Sequence, residues 1–171
     1  TVQQAIEEHA QEASDLLHIA DLCGEVVIVT AAQAGWVEHT CALYLPKLLP
    51  QISGPGARVR VISARAVYGP LGFQTSYEWK KMAFEFVVAH HFLQHEGQER
   101  HVISVGDADY ERQALLNVCK TLHCCGKSLK LIENPSLSRL TVECRLVASV
   151  LQELSTAAGQ MDLQMTIDRD P

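Results

Sequence analysis

Residues 101–111 read HVISVGDADYE, an apolar and β-branched run that ends in a glycine and leads into three acidic side chains. A short apolar run bounded by turn residues is typical of a buried β-strand, which we predict over residues 101–105. Three other stretches have the same character, at residues 25–30 (EVVIVT), 58–63 (RVRVIS) and 128–132 (SLKLI). The sequence therefore predicts four short strands.

Helical patterns alternate with these strands along the whole chain. Apolar stripes predict helices over residues 2–23 (ending at Gly24), 36–49, 77–94, 110–124 (closed by Gly126) and 136–158. Strict alternation of helix and strand is typical of a parallel sheet with helices on both faces. The predicted fold class is α/β, a three-layer αβα Rossmann-like domain.

The composition is that of an ordinary globular protein. The chain has 171 residues, of which 47% are hydrophobic and 20% are charged. We expect a single domain over residues 1–160, followed at 161–171 by a tail or short extra strand. The net charge of −6 argues against nucleic acid as the main partner. No apolar run reaches the roughly 20 residues that span a membrane.

The six cysteines form no CxxC pair, although Cys124 and Cys125 are adjacent and Cys119 precedes them by about one helical turn. Without a second ligand pair, reduced and partly buried thiols are expected rather than a zinc site. This favours an intracellular, reducing compartment, either the cytoplasm or an organelle interior.

Candidate functional residues follow the strands at one edge of the predicted sheet, where α/β proteins bind ligands. Thr30 ends the first strand and Arg65 follows the second. The loop after residue 105 carries Asp107, Asp109 and Glu111. Carboxylates this close repel one another, and oxygen ligands suit Mg²⁺. Alternatively, Asp107 or Asp109 caps the next helix, where negative charge is favourable.

Lys80 and Lys81 lie near the start of the third predicted helix. A positive charge is unfavourable there, which indicates that one of them has another role. A fixed ammonium group neutralises phosphate oxygens well. The alternative is a solvated pair of lysines.

Three sequence motifs occur in a characteristic order: a hydrophobic strand ending in Thr30, a lysine at a helix start (Lys80, with Lys81 as second choice), and Gly-Asp-x-x-x-Glu at residues 106–111. They resemble three of the four motifs of the haloacid dehalogenase-like superfamily, chiefly metal-dependent phosphohydrolases on a Rossmann-like sheet. The similarity is greatest to a capless group found in protists and algae, and covers residues 1–132.

The resemblance implies a phosphate-binding set and a metal site. The Thr30 hydroxyl and the Ala31 backbone N–H would hold the substrate phosphate, and Lys80 would neutralise it. Ala32 and Arg65 complete the expected phosphate-binding set. The implied cofactor is Mg²⁺.

The metal would be held by Asp107 with Glu111 in support, and whether Asp109 shares it stays open. The implied partner is a phosphorylated substrate, or a phosphorylated or other partner protein. Residues 68–76, between the second and third motifs, are expected to form at most a short flap.

The first of the four motifs is missing. In the superfamily, Asp-x-Asp provides the nucleophile and the general acid/base before the strand that ends here at Thr30, but only Asp15 and Asp21 precede it, within a predicted helix. The missing strand would lie centrally, and its loss would open a gap of about 10 Å beside the strand ending at Val105. Upstream residues before Thr1, a strand from a partner, or collapse of the two half-sheets would close the gap.

Two functional hypotheses follow. The first is a Mg²⁺-dependent phosphohydrolase, acting on a phosphomonoester or phosphoprotein, whose nucleophile strand precedes this sequence. The second is a catalytically inactive structural or interaction module in a larger assembly, because no aspartate is present to attack phosphorus. An unrelated flavodoxin-like or regulator fold is a third alternative.

Overall fold

The computed structural model describes residues 1–166 of the chain. It is an α/β fold with parallel strands, as the alternation of helix and strand predicts. The chain divides into two compact units. The first comprises Thr1–Ser63 and Pro135–Thr156, and the second comprises Ala64–Asn134 and the chain from Ala157 onward.

The first unit contains a two-stranded parallel sheet and four α-helices. Its elements are α1 (Val2–Cys23), β1 (Val27–Thr30), α2 (Trp36–Tyr44), a 3₁₀ turn (Pro46–Leu48), α3 (Leu49–Ile52), β2 (Arg60–Ser63) and α7 (Leu137–Thr156). Cys41, Leu48, Ile52 and Val59 form a buried cluster in this unit. Helices α1 and α7 pack together, and Arg145 of α7 binds Glu12 of α1 at 2.7 Å.

The second unit contains a three-stranded parallel sheet in the order β3-β4-β5. Its elements are α4 (Ala64–Tyr68), a 3₁₀ turn (Gly69–Leu71), α5 (Ser76–Gln94), β3 (His101–Gly106), α6 (Asp109–Leu122), β4 (Cys125–Lys130) and β5 (Met161–Gln164). Strand β4 is central, and its last five residues are buried. Leu115 and Val118 of α6 are fully buried in this unit.

The five strands form two separate sheets in the described part of the chain. Strand β1, which ends at Thr30, pairs only with β2 among the described strands, and β3 belongs to the other sheet. All four residues of β1 are partly exposed, and Val105 of β3 is 41% exposed. Partial exposure is typical of edge strands.

Two predicted segments differ in the structure. The helix predicted over residues 36–49 breaks at Pro46, because proline lacks the N–H that an α-helix interior needs. Residues 68–76, expected to form at most a short flap, include the last residue of α4 (Ala64–Tyr68) and a 3₁₀ turn (Gly69–Leu71). Of the two alternatives for the tail, residues 161–164 form strand β5, and residues 167–171 lie outside the described part of the chain.

The end of α6 also differs from the prediction. The helix ends at Leu122, and His123 adopts the left-handed conformation with φ of 51° in place of the expected Gly126. Strand β4 consequently begins at Cys125 rather than at residue 128. Gly126 lies within the strand, where an added Cβ would meet Cys119 Sγ at 2.7 Å.

None of the helices in the described part of the chain is long and apolar enough to cross a membrane.

Candidate functional site

A nearly buried ion pair joins two of the predicted site residues in the second unit. Nζ of Lys80 on α5 lies 2.5 Å from Oε1 of Glu111 on α6. The two side chains are only 7% and 13% exposed. The alternative that Lys80 belongs to a solvated pair is therefore wrong, and Lys81 is the more exposed of the two lysines.

The start of α5 fixes the position of Lys80. The Thr75 hydroxyl accepts the Glu78 N–H at 3.2 Å, and Glu78 in turn accepts the Thr75 N–H at 2.9 Å, which together form a capping box. The pKa of the Glu78 carboxyl is lowered because it accepts the backbone N–H groups of Gln74 and Thr75 and the Thr75 hydroxyl. Lys80 follows one turn into the helix and projects toward the end of β3, where Glu111 lies.

Glu111 lies against Gly106, the last residue of β3. A Cβ added at Gly106 would come within 1.9 Å of Glu111 Oε2, so only glycine leaves room for this carboxylate. The same oxygen accepts the backbone N–H of Ala108 at 3.4 Å. Glu111 thus accepts a backbone N–H at the N-terminus of α6 and also pairs with the Lys80 ammonium group.

The capping alternative for the aspartates is wrong. Helix α6 begins at Asp109, its N-cap is Ala108, and no side chain of the cap residue bonds the helix. Asp107 lies before the cap and is exposed. Asp107 therefore lies in the turn between β3 and α6 and does not cap the helix.

Tyr110 is a neighbour of this site that the sequence motifs do not identify. Its pKa is raised by burial first and then by the negative charges of Glu111 and Asp107.

The two carboxylates predicted to hold Mg²⁺, Asp107 and Glu111, differ in their surroundings. Asp107 offers an exposed carboxylate, whereas Glu111 is already bonded to Lys80. Mg²⁺ is commonly held by one or two carboxylates, with water and substrate phosphate completing its shell. Within residues 1–166 no cluster of three or more His, Cys, Asp or Glu side chains is arranged to hold a metal ion.

A second buried lysine lies at the same edge of the sheet. Lys130 ends β4 in register with Gly106, is 7% exposed, and lies 3.2 Å from Glu133. The sequence analysis missed it, although a lysine that ends an apolar strand is a signal that could have identified it.

In the first unit, the predicted phosphate-binding residues form a tight turn after β1. The Thr30 hydroxyl accepts the Ala32 N–H at 3.0 Å, and the Ser63 hydroxyl donates to the Ala32 carbonyl at 2.6 Å. The Ala32 N–H thus already donates to the Thr30 hydroxyl oxygen. The proton of that hydroxyl can be donated to another acceptor. Ala31 lies between them in the turn.

A small cavity of about 110 Å³ adjoins this turn. Its lining includes Thr30, Gly35, Glu38 and Ser63. Glu38 is a residue that the sequence analysis did not assign, and its buried Oε2 has no hydrogen-bond partner among the described residues.

Arg65 lies in the second unit, on α4. Its exposed guanidinium stacks over the indole of Trp79 at 5.6 Å from the ring centroid. Trp79 is in turn fixed by a hydrogen bond from Nε1 to the Phe73 carbonyl at 2.8 Å. Arg65 is therefore held beside the residue that precedes Lys80.

No protein-family model, curated protein or solved structure matches this chain. Lys80 and Glu111 form an ion pair in the second unit, where Asp107 directly follows β3 in sequence. Thr30, Ala31 and Ala32 form the turn after β1 in the first unit.

Proposed function

We propose that the chain carries the phosphate- and Mg²⁺-binding residues of a phosphohydrolase of the haloacid dehalogenase-like type. The observation that carries the proposal is the nearly buried Lys80–Glu111 ion pair, and the exposed Asp107 directly follows β3 in sequence. A buried cation and an exposed carboxylate suit the binding of a phosphate together with a divalent cation.

Lys80 supplies the positive charge for the phosphoryl group. Its ammonium group is held by Glu111 in a site with little water, where a charge acts more strongly than at the surface. Phosphoryl transfer depends mainly on positioning and charge neutralisation, which such a preorganised lysine provides. Glu111 acts as a positioning residue because it orients Lys80.

Asp107 would hold Mg²⁺, and the bound ion would neutralise phosphate oxygens. In the first unit, the resemblance assigns phosphate binding to the Thr30 hydroxyl and the Ala31 backbone amide. Arg65 stacks over Trp79, the residue before Lys80. The Ala32 N–H donates to the Thr30 hydroxyl and so orients it.

The nucleophile would come from outside the 171 residues. No Asp-x-Asp precedes β1 in the 171 residues. A segment upstream of this sequence, or a strand from a partner, would bring the attacking aspartate.

A non-catalytic phosphate-binding module is the second candidate. The absence of the nucleophile from this sequence favours it, since the remaining residues bind an anion without providing the attacking group.

Turnover of p-nitrophenyl phosphate by the full-length native protein with Mg²⁺ separates the two candidates. We expect hydrolysis that Asp107→Asn abolishes and that the neighbouring Asp109→Asn leaves nearly unchanged. Turnover that survives Asp107→Asn contradicts the role of Asp107. No turnover, together with no beryllofluoride trapped on an aspartate, favours the binding module.

A further inference from the structure

The C-terminal end of α6 brings two cysteines together. His123 takes the left-handed conformation, and the N–H of Cys124 donates to the Cys119 carbonyl at 3.0 Å. This six-residue hydrogen bond defines a Schellman motif, in which the two residues that it joins usually make a side-chain contact. In this chain both of those residues are cysteines.

The two thiols share a hydrogen bond in the interior of the second unit. Cys119 is 2% exposed, and its Sγ lies over the bare Cα of Gly126. Cys124 is partly exposed and packs against the cluster of Val88, Phe92 and Val118. Because the side chains already touch, a bond between the sulfur atoms requires no large backbone movement.

We propose that Cys119 and Cys124 are a reversible oxidation site, in which hydrogen peroxide or a related hydroperoxide converts the two thiols into a disulfide. Cys124 is the attacking thiol, and Cys119 is the resolving thiol. This site is independent of the proposed phosphate chemistry.

The reaction proceeds in two steps. The Cys124 thiolate attacks one peroxide oxygen, the O–O bond breaks, and hydroxide leaves and takes up the proton that Cys124 released. The sulfur of Cys119 then attacks the sulfenic sulfur of Cys124, the S–S bond forms, and the S–O bond breaks. The departing hydroxide takes the Cys119 proton, so two thiols lose two electrons and one peroxide becomes two waters.

The surroundings of the two sulfur atoms differ in a way that assigns these roles. The hydrogen bond from Cys119 and the nearby Arg100 guanidinium lower the pKa of Cys124. The hydrogen bond to Cys124, burial and the neighbouring thiols raise the pKa of Cys119. Arg100 is itself held over the Phe92 ring at 5.2 Å, which keeps its charge near Cys124. A thiolate that peroxide can reach reacts first.

Cys125 is the competing partner, since it follows Cys124 directly. Trypsin separates the alternatives. It cuts after Arg112, Lys120 and Lys127, so Cys119 lies in one peptide (residues 113–120) and Cys124 and Cys125 lie in the next (residues 121–127).

The experiment treats the native full-length protein with hydrogen peroxide, blocks the remaining thiols with iodoacetamide, and maps non-reduced peptides by mass spectrometry. We expect peptides 113–120 and 121–127 to be linked, the link to be removed by dithiothreitol, and the thiol count to fall by two. The link should persist in Cys125→Ser and be lost in Cys124→Ser, with Cys144→Ser as a control that keeps it.

Three results would overturn the proposal. They are a bond within peptide 121–127, a link that persists in Cys124→Ser, and the absence of any link in wild-type protein whose far-UV circular dichroism remains native.

Discussion

Lys80 Nζ lies 2.5 Å from Glu111 Oε1, and this contact ties the first turns of α5 and α6 together at the end of β3. Because both side chains are nearly buried, neither charge is well solvated without the other. The pair thus fixes the geometry of the candidate site. The free energy of unfolding therefore depends on both residues being present.

Removing one partner of this pair should be costly. Glu111→Leu leaves a buried ammonium group and is expected to lower the free energy of unfolding by about 3–5 kcal/mol. The double variant with Lys80→Met should lose less than the sum of the single variants by about 1–3 kcal/mol. Urea unfolding measures both quantities.

The exposed Arg58–Asp21 pair provides a control cycle. The Arg58 side chain is 73% exposed, so its coupling energy should be below about 1 kcal/mol. Equal coupling in the two cycles would contradict the special role of the buried pair.

Gly106→Ala tests the close packing beneath Glu111. The new Cβ would lie 1.9 Å from Oε2, so the carboxylate has to move away from Lys80. We expect a loss of about 1–3 kcal/mol in unfolding free energy, together with a smaller Lys80–Glu111 coupling. Gly56→Ala is the matched control, since nothing lies within 4 Å of its added Cβ. Equal effects of the two substitutions would refute the packing argument.

Gly126→Ala should destabilise the second unit because its Cβ would lie 2.7 Å from Cys119 Sγ and 3.1 Å from Cys119 Cβ. The expected loss is about 1–3 kcal/mol. Removing the sulfur atom with Cys119→Ala should recover part of that loss, so the double variant should be more stable than the sum predicts. Strict additivity in thermal or urea unfolding would argue against this contact.

His9 should make folding sensitive to acid. It is 6% exposed, its Nδ1 lies 3.4 Å from Thr141 Oγ1, and burial lowers its pKa. The unfolded chain therefore binds the His9 proton at higher pH than the folded chain does. The His9 contribution is fully present above about pH 6.5 and is lost as the pH falls toward the lower folded pKa.

Urea unfolding of wild type and His9→Gln between about pH 7.5 and pH 5.5 checks the sign of this effect. Wild type should lose more stability on acidification, by at most about 1.4 kcal/mol per pH unit. The exposed His39→Gln serves as control. A His9→Gln protein with the pH dependence of wild type would exclude the effect.

The sequence predicts four of the five strands because their apolar and β-branched residues are local signals. The start of β4 is missed because Cys125-Gly126-Lys127 does not read as a strand. Lys127 is 1% exposed in the sheet, where its Nζ donates to the Ala157 carbonyl at 2.5 Å and lies 3.2 Å from His101 Nδ1. Those partners are distant in sequence, so local patterns do not contain them.

In the candidate site, too, local sequence predicts some features, whereas others depend on contacts between residues that are distant in sequence. The loop at Asp107 follows from a local motif, and the strand before it is correctly located. The burial of Lys80 and its bond to Glu111, 31 residues away, come from the packing of two helices. Glu38 is not predicted from the sequence because its distinguishing feature is a buried carboxylate oxygen, which no sequence motif marks.

Calorimetric titration of the full-length protein with Mg²⁺, with and without inorganic phosphate, tests the central claim most directly. We predict binding that phosphate strengthens, a loss of at least about tenfold in affinity in Asp107→Asn, and a change of less than about twofold in Asp109→Asn. Mg²⁺ binding by Asp107→Asn equal to that of wild type would contradict the account.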